Sequence, residues 1–259
     1  MKTKLITLLL SGLALSMAAA SEPLTLRVMT FNIHHGEGID GRLDLERIAR
    51  VITDARADLV GLQEVDRGVE RTQRRDLPTE LARLTGLAVR FESNLPHQGG
   101  EYGNAVLSRF PVKTSRNTRF RAPRAGEQRG FQEVTVQVGG RELLFINTHL
   151  DFRSGDEERL ASVDELRLAV TAAGSKPVIA AGDFNAVPGS APILRLAEFL
   201  RDAWPAVGKG QGFTIPVRKP VRRIDYLWYT PGALTPMSAA VISTNASDHL
   251  PVLVEFRLN

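Results

Sequence analysis

Polar residues with chemistry to offer recur where apolar, strand-like stretches of this chain stop: Asn32, Glu64, Asn147-Thr148-His149, Asp183 and Asn185, Asp225, and Asp248-His249. In an α/β sheet, strand ends along one edge form the ligand-binding face, so residues remote in sequence can meet there. Glu64, Asp183, Asp225 and Asp248 are carboxylates, and the chain has no cysteine. Thiolate metal sites and cysteine nucleophiles are therefore excluded. An oxygen-rich donor set suits a hard cation, Mg²⁺ first with Mn²⁺ or Ca²⁺ as alternatives, in preference to structural zinc. Any one of these carboxylates is the kind of residue that caps a helix or closes a turn. Their repetition at separate strand ends is the signal.

Apolar patterning supplies the elements that would position these groups. Residues 24–33 alternate, with Leu24, Leu26, Val28 and Thr30 on one face and Thr25, Arg27, Met29 and Phe31 on the other, which predicts a strand with a polar tip. Residues 44–56 carry Leu45, Ile48, Ala49 and Ile52 at helical spacing and predict an amphipathic helix. Further strands are expected over 58–65, 87–92, 104–108, the region after Val112, 131–138 and 141–149, with Gly139-Gly140 turning between the last two. A short helix over 79–85 closed by Gly86, a helix over 157–173, and strands over 177–181, 224–229, 237–242 and 252–256 complete the set. Strands outnumber helices, and hairpins mix with strand-helix-strand units. A mixed-sheet α/β sandwich therefore fits better than a doubly wound parallel sheet. Neither Gly-x-Gly-x-x-Gly nor a P-loop occurs, which removes the main support for nucleotide-cofactor chemistry.

With 259 residues, 43% hydrophobic and 24% charged, the composition is that of a folded chain with a substantial core. Met1-Lys2-Thr3-Lys4, an apolar run over 5–17 and Ala18-Ala19-Ala20-Ser21 read as a secretory signal peptide over 1–20, cut after Ala20. The expectation is one domain over 21–259, monomeric, periplasmic or secreted. Its apolar leader is short for a membrane span and no later stretch is longer, so no stable membrane insertion is expected after cleavage. Removing Lys2 and Lys4 takes the basic residues from 33 to 31 against 29 acidic ones, a net charge of +2. A whole-protein basic field of the kind that holds duplex DNA is not evident. Arginines cluster at 67–75 and 116–129. Their planar forks match phosphate oxygens, so these clusters read either as a phosphate-binding rim, with Arg67 and Arg129 as candidates, or as solvated faces.

Six stretches carry a resemblance to a known family: Thr30-Phe31-Asn32, Leu62-Gln63-Glu64-Val65, Asn147-Thr148-His149-Leu150, Gly182-Asp183-Phe184-Asn185, Arg223-Ile224-Asp225-Tyr226 and Ser247-Asp248-His249-Leu250-Pro251. In this order they resemble the endonuclease/exonuclease/phosphatase superfamily, which includes pancreatic-type deoxyribonucleases, abasic-site endonucleases, neutral sphingomyelinases and inositol polyphosphate phosphatases. The resemblance implies a DNase I-like α/β fold, a four-layer α/β sandwich of two mixed β-sheets flanked by helices, with the site at one edge. It also implies that Glu64 is the principal metal ligand, with Asn32 beside it and Asp248 acting through a water or a second metal position. Asp183 would orient or deprotonate the attacking water, and Asn185 would hold a phosphate oxygen. His249, paired with Asp225, and His149 would donate to the phosphoryl oxygens as charge builds. In-line displacement at phosphorus needs these roles: a nucleophilic water, a cation that spreads charge, and donors that tighten on the pentacoordinate state.

One position departs from the family pattern. Many of its nucleases carry an acidic residue two positions after the first Asn, whereas this chain has His34, followed by His35 and Gly36. His34 reads as a nitrogen ligand that would shift metal preference, as a hydrogen-bonding group behind the ligands, or as a phosphate contact. The segment Gly99-Gly100-Glu101-Tyr102-Gly103-Asn104-Ala105 reads as a loop before a strand, with Asn104 as a candidate phosphate contact. No wedge loop for gripping a duplex is apparent. The expected substrate is therefore a small-molecule or lipid-headgroup phosphoester, with nucleic acid as the alternative. A non-catalytic binding module of phospholipid or partner is the lesser reading, because Glu64, Asp183, Asn185 and His249 are retained together.

Overall fold

The structure, a computed structural model, describes residues 24–121 and 123–259; the signal-peptide expectation over 1–20 lies outside the described residues. In chain order the strands are β1 Leu24–Asn32, β2 Leu59–Arg67, β3 Ala88–His97, β4 Gly100–Ser108, β5 Val112–Arg119, β6 Gly130–Val138, β7 Arg141–His149, β8 Val178–Asp183, β9 Arg201–Asp202, β10 Asp225–Tyr229, β11 Leu234–Val241 and β12 Val252–Leu258. The helices are α1 Leu45–Asp54, α2 Leu77–Thr85, α3 Glu157–Ala172, α4 Ala191–Leu196 and α5 Trp204–Val207. Among the described residues, no helix is long and apolar enough to cross a membrane.

The strands form two six-stranded sheets, in the orders β11-β12-β1-β2-β4-β3 and β5-β6-β7-β8-β10-β9. Each sheet has one parallel pair, β1 with β2 and β7 with β8, and α1 and α3 are the crossovers that parallel pairing demands. Both sheets therefore present the carboxyl ends of two parallel strands at one edge, where α/β folds bind ligands.

Apolar side chains fill three layers. Leu26, Val28, Leu59, Val134, Val136, Phe145, Ile179, Leu227 and Val254 pack between the sheets. Met29, Phe31, Ile48, Leu62 and Leu81 fill the space beneath α1 and α2. Leu144, Ile146, Val163, Leu166, Phe184 and Trp228 do the same beneath α3 and α4. The result is a four-layer sandwich. The alternation of β1 is thus an alternation between two buried surfaces, because Met29 and Phe31 are as fully covered as Leu26 and Val28.

Local signals fix several boundaries. Asp44 and Asp76 cap α1 and α2 by accepting from the amides of Arg47 and Thr79, and Gly86 takes the left-handed conformation that ends α2. The segment over 99–105 read as a loop is corrected: β4 begins at Gly100, and the β3–β4 hairpin turns at Gln98 and Gly99. Its glycines serve close strand packing, since a Cβ on Gly103 would lie 2.0 Å from the Glu92 carbonyl oxygen. The short elements α4, β9 and α5 were not anticipated, because a few residues give no usable periodicity.

A buried polar clamp joins the sheets near the ligand edge. Asn147, on β7, donates from Nδ2 to the carbonyls of Leu62 on β2 and Ala105 on β4, each at 2.9 Å. Its Oδ1 accepts from Gln63 Nε2 at 2.7 Å. Gly61 leaves room for it, since a Cβ there would meet Asn147 Oδ1 at 2.8 Å. Leu62 and Ala105 pair directly beside a bulge in β2, where the register against β4 slips between Leu62 and Val65 and Glu64 adopts a left-handed φ of 58°. Replacing Asn147 with Ala strands the two buried carbonyls, at roughly 1–3 kcal/mol for each unsatisfied group, whereas the Gln63 amide keeps Thr30 Oγ1 and the Gly61 carbonyl as acceptors. We expect Asn147→Ala to lose about 3 kcal/mol or more in urea unfolding; a loss below about 1 kcal/mol would show that the clamp is dispensable.

Candidate active site

Three site residues stand side by side on one sheet. His149 ends β7 opposite Asp183, which ends β8 opposite Asp225, the first residue of β10. From the other sheet, Asn32 ends β1 opposite Gln63, and the bulge turns Glu64 toward the same edge. One amide spans the gap: Asn32 Nδ2 donates to Glu64 Oε1 at 3.0 Å and to Asp183 Oδ2 at 3.1 Å. Ser247 fastens the last loop by donating to the Asn32 carbonyl at 2.7 Å and accepting from the His249 amide at 3.2 Å.

Asp183 lies at the centre. Its Oδ1 accepts from the Asn185 amide at 2.9 Å, and its Oδ2 lies 3.4 Å from His149 Nε2 and 3.7 Å from His249 Nε2. Burial, and then the nearby Asp225 carboxylate, push the Asp183 carboxyl well above the usual carboxylate range, against the pull of His249. This is a carboxylate made more basic than a surface aspartate.

The two histidines are set in opposite states. Burial alone would lower the pKa of His249, but Asp225 and Asp183 outweigh it and raise the value to about 10. Asp225 holds His249 Nδ1 at 3.0 Å, which leaves Nε2–H facing Asp183. Burial, the Arg129 guanidinium and His249 together drive His149 well below its ordinary value. Arg129 Nη1 donates to His149 Nδ1 at 2.6 Å. That nitrogen must be the acceptor, so the proton of the neutral ring sits on Nε2.

These groups open into a cavity of about 370 Å³. Glu64, His149, Asp183, Asn185 and His249 lie on its polar side, and Arg129 and Glu127, 3.2 Å apart, lie beside them. Leu95, His97, Tyr102 and Phe152 complete the wall with Arg71. Arg71 is held by a two-pronged contact to the buried Asp66, at 2.8 and 2.9 Å, and lies 5.4 Å over the Tyr102 ring. Burial first, then the Glu64 charge, keeps the Tyr102 hydroxyl well above its usual range, so it remains a phenol.

Of the residues singled out in the sequence, Glu64, His149, Asp183, Asn185, His249 and Arg129 line this cavity, with Asn32 and Asp225 directly behind them. Asn32 presents its amide NH₂ to the two carboxylates, while its Oδ1 accepts from the His34 amide at 3.1 Å. Asn185 lines the cavity with one N–H given to the Leu150 carbonyl at 3.1 Å. Asp248 lies outside the lining and contacts Ser247 Oγ at 3.3 Å. Arg67 is also outside it, paired with Glu101 and stacked 4.5 Å over the Phe91 ring. Asn104 is buried between the sheets, where it donates to the Gly130 carbonyl at 3.4 Å. His34 sits beside Glu64, with Nδ1 on the Glu37 carbonyl at 3.2 Å.

Arg71, Tyr102, Glu127, His97, Leu95 and Phe152 were missed as site residues. Arg71 lay inside a noted arginine cluster, but nothing in the sequence distinguishes it from Arg67. Phe152 is 64% exposed, and its position two residues after the polar motif at His149-Leu150 was the one available hint.

Among the described residues, two groups of donors could hold a cation: His34, His35 and Glu64, and the buried Asp183, Asp225 and His249. Their oxygen and nitrogen chemistry fits a divalent ion. In the second group His249 is turned toward carboxylates on both sides, which suits a proton donor.

The opposed histidine states are directly measurable. A raised pKa stabilises the folded protein fully below the unfolded value of about 6.5, and that stabilisation is lost as pH rises through about 10. Long-range ¹H–¹⁵N spectra at about pH 7.5, above the ordinary histidine value, should show His249 as imidazolium and His149 as the neutral Nε2–H tautomer. A neutral His249 or a charged His149 would contradict this arrangement.

Comparison with known proteins bears on what the geometry is for. The uncharacterized protein YbhP of Escherichia coli strain K12 is 26% identical over 252 residues, covering 92% of this chain and 98% of that protein. Xenopus laevis nocturnin is 28% identical over 298 residues, covering 94% of this chain and 75% of that one. Among solved structures, an endonuclease/exonuclease/phosphatase from Beutenbergia cavernae DSM 12333 superposes with a TM-score of 0.72 at 28% identity, covering 91% of this chain and 72% of that chain. The human nocturnin catalytic domain with bound sulfate anion gives 0.73 at 25% identity, with 93% and 100% covered. The Endonuclease/Exonuclease/phosphatase family model matches residues 29–249, and with the catalytic edge of both sheets inside that span the chain belongs to this family of divalent-metal-dependent, phosphoester-hydrolysing enzymes.

Proposed function

We propose that the chain is exported and hydrolyses a phosphodiester of small-molecule or lipid-headgroup size by in-line attack of water. The observation that carries this reading is the shape of the site. The acid–base groups sit in a bounded cavity of about 370 Å³, with Leu95, Tyr102 and Phe152 in its wall and the Glu127 carboxylate beside Arg129. A bounded wall of mixed charge suits a compact ester better than a long polyanion, which needs a continuous cationic track. Export rests on the leader-like residues 1–20.

The residues divide the work by their protonation states. Asp183, fixed by Asn32 and the Asn185 amide, orients the water and takes its proton, helped by a basicity that burial and Asp225 have raised. His249, charged through its pairing with Asp225, offers Nε2–H to a phosphoryl oxygen as negative charge develops. His149, neutral with its proton on Nε2, supplies a second donor that Arg129 holds in orientation. A divalent cation held by Glu64, when bound, offsets charge on the phosphoryl oxygens and lowers the pKa of bound water.

The test is turnover by the chain from Ser21 onward, with Mg²⁺, Mn²⁺, Ca²⁺ or EDTA. Substrates would be glycerophosphodiesters, phospholipid vesicles, an aryl phosphodiester, aryl phosphate monoesters and supercoiled plasmid. Metal-dependent release from the small or lipid diesters should fall about a thousandfold in Asp183→Asn and in His249→Ala. One relative, at 26% identity, is a 5'-tyrosyl-DNA phosphodiesterase of Caenorhabditis elegans. Salt-sensitive plasmid cleavage exceeding every small-substrate rate would replace our reading with a nuclease. Retention of residues 1–20 on the protein recovered from a periplasmic fraction or medium would refute the cleaved leader.

A further inference from the structure

His34, His35 and Glu64 converge at the margin of the site, each offering one donor atom within 4.8 Å of the other two. Consecutive residues in a strand would point to opposite faces. Here β1 stops at Asn32 and the chain enters a tight turn over His34–Gly36, closed by Gly36 N to Ile33 O at 2.8 Å and Glu37 N to His34 O at 2.9 Å. His34 and His35 both take a φ of 45°, and their rings come to rest 4.4 Å apart. Glu64 has a φ of 58°. All three residues thus occupy the left-handed region, which costs L residues other than glycine of order 1–3 kcal/mol each and clusters at ligand-binding positions.

The imidazoles are individually prepared. His34 Nδ1 lies on the Glu37 carbonyl at 3.2 Å and must donate there, which leaves the Nε2 lone pair unused. A carbonyl behind the ring is the arrangement that orients metal-binding histidines. His35 Nε2 faces Glu37 Oε2 at 3.7 Å, while its Nδ1 is buried without a hydrogen-bond partner. A buried nitrogen lone pair with no donor opposite it calls for one, and a cation supplies it. Arg71, the nearby positive group, is already neutralised by Asp66. Bonds of roughly 2.1 Å place donors on one ion about 3–4 Å apart, so atoms that already lie within 4.8 Å of one another need at most a small closure.

We propose that His34, His35 and Glu64 form a binding site for a borderline divalent transition metal, Mn²⁺, Co²⁺ or Zn²⁺, with two imidazole nitrogens and one carboxylate oxygen as its protein donors. Imidazole suits these ions, whereas Mg²⁺ prefers oxygen and keeps its waters. The inference deepens the hydrolase reading, from which it takes only that Glu64 faces the metal. Of the three readings of His34 it takes the ligand role.

Full-length mature protein stripped with chelator would be titrated with Co²⁺ and followed by its visible absorption, and Mn²⁺-loaded protein would be examined for ¹⁴N couplings by pulsed paramagnetic resonance. We expect two imidazole couplings, one lost in His34→Asn and one in His35→Asn, with Co²⁺ affinity weakened at least tenfold in each variant. Asn tolerates the left-handed backbone, so these variants keep the turn. Mg²⁺ affinity should change less than twofold. Asp183→Asn should keep both couplings while losing turnover, which separates this claim from the hydrolase claim. Couplings that survive in both histidine variants, or vanish in Asp183→Asn, would overturn the proposal.

Discussion

The side-chain amide of Asn147 is the constraint on which the rest of the molecule depends. Two sheets packed face to face through aliphatic side chains could slide relative to one another, because apolar contact has no direction. Asn147 removes that freedom at the ligand edge by bonding in three directions to β2 and β4. Its acceptors, the carbonyls of Leu62 and Ala105, flank the bulge that turns Glu64 out of the strand. One buried side chain therefore sets the position of a carboxylate from one sheet relative to the row His149, Asp183 and Asp225 on the other. Asn32 repeats the device nearer the strand ends, with one amide between Glu64 and Asp183.

Bringing Asp183 and Asp225 together in a buried site is electrostatically unfavourable unless something positive lies between them. His249 takes that place, and the same field that raises its proton affinity supplies a donor that stays charged at neutral pH. His149 shows the converse: the field of Arg129 and His249 keeps it neutral, and the Arg129 hydrogen bond chooses its tautomer. Two histidines that both face Asp183 thus differ in charge because of their neighbours, and each state suits the separate task proposed for it.

Much of this was legible in the sequence because strands advertise their ends. The apolar alternation of β1 stops at Asn32, the apolar run of β7 at Asn147-Thr148-His149 and that of β8 at Asp183, and those ends meet at the candidate site. The Gly86 stop of α2 and the Gly139-Gly140 turn were equally local, whereas the Asp76 cap that starts α2 earlier than residue 79 came only with the structure. The cavity wall was hidden because it is made by register between distant strands. Asn104 and Arg67 were plausible by residue type, yet one is turned into the sheet interface and the other is consumed by Glu101 and Phe91. Arg71 and Tyr102 belong to the site only because the β3–β4 hairpin folds beside the turn that carries Arg71. The left-handed backbone at Glu64 and His35 likewise follows from a bulge and a turn that no periodicity announces.

Glu64 from one sheet and Asp183 from the other are proposed to act on one phosphate as a unit. The most direct measurement is a double-mutant cycle on hydrolysis of a single phosphodiester, with Glu64→Gln, Asp183→Asn and the combined variant compared at saturating metal. The double variant should be no more than a few-fold worse than the poorer single one, because either loss disables the same step. Losses that multiply, leaving the double variant as impaired as the product of the two singles, would show that the carboxylates work independently and would contradict it.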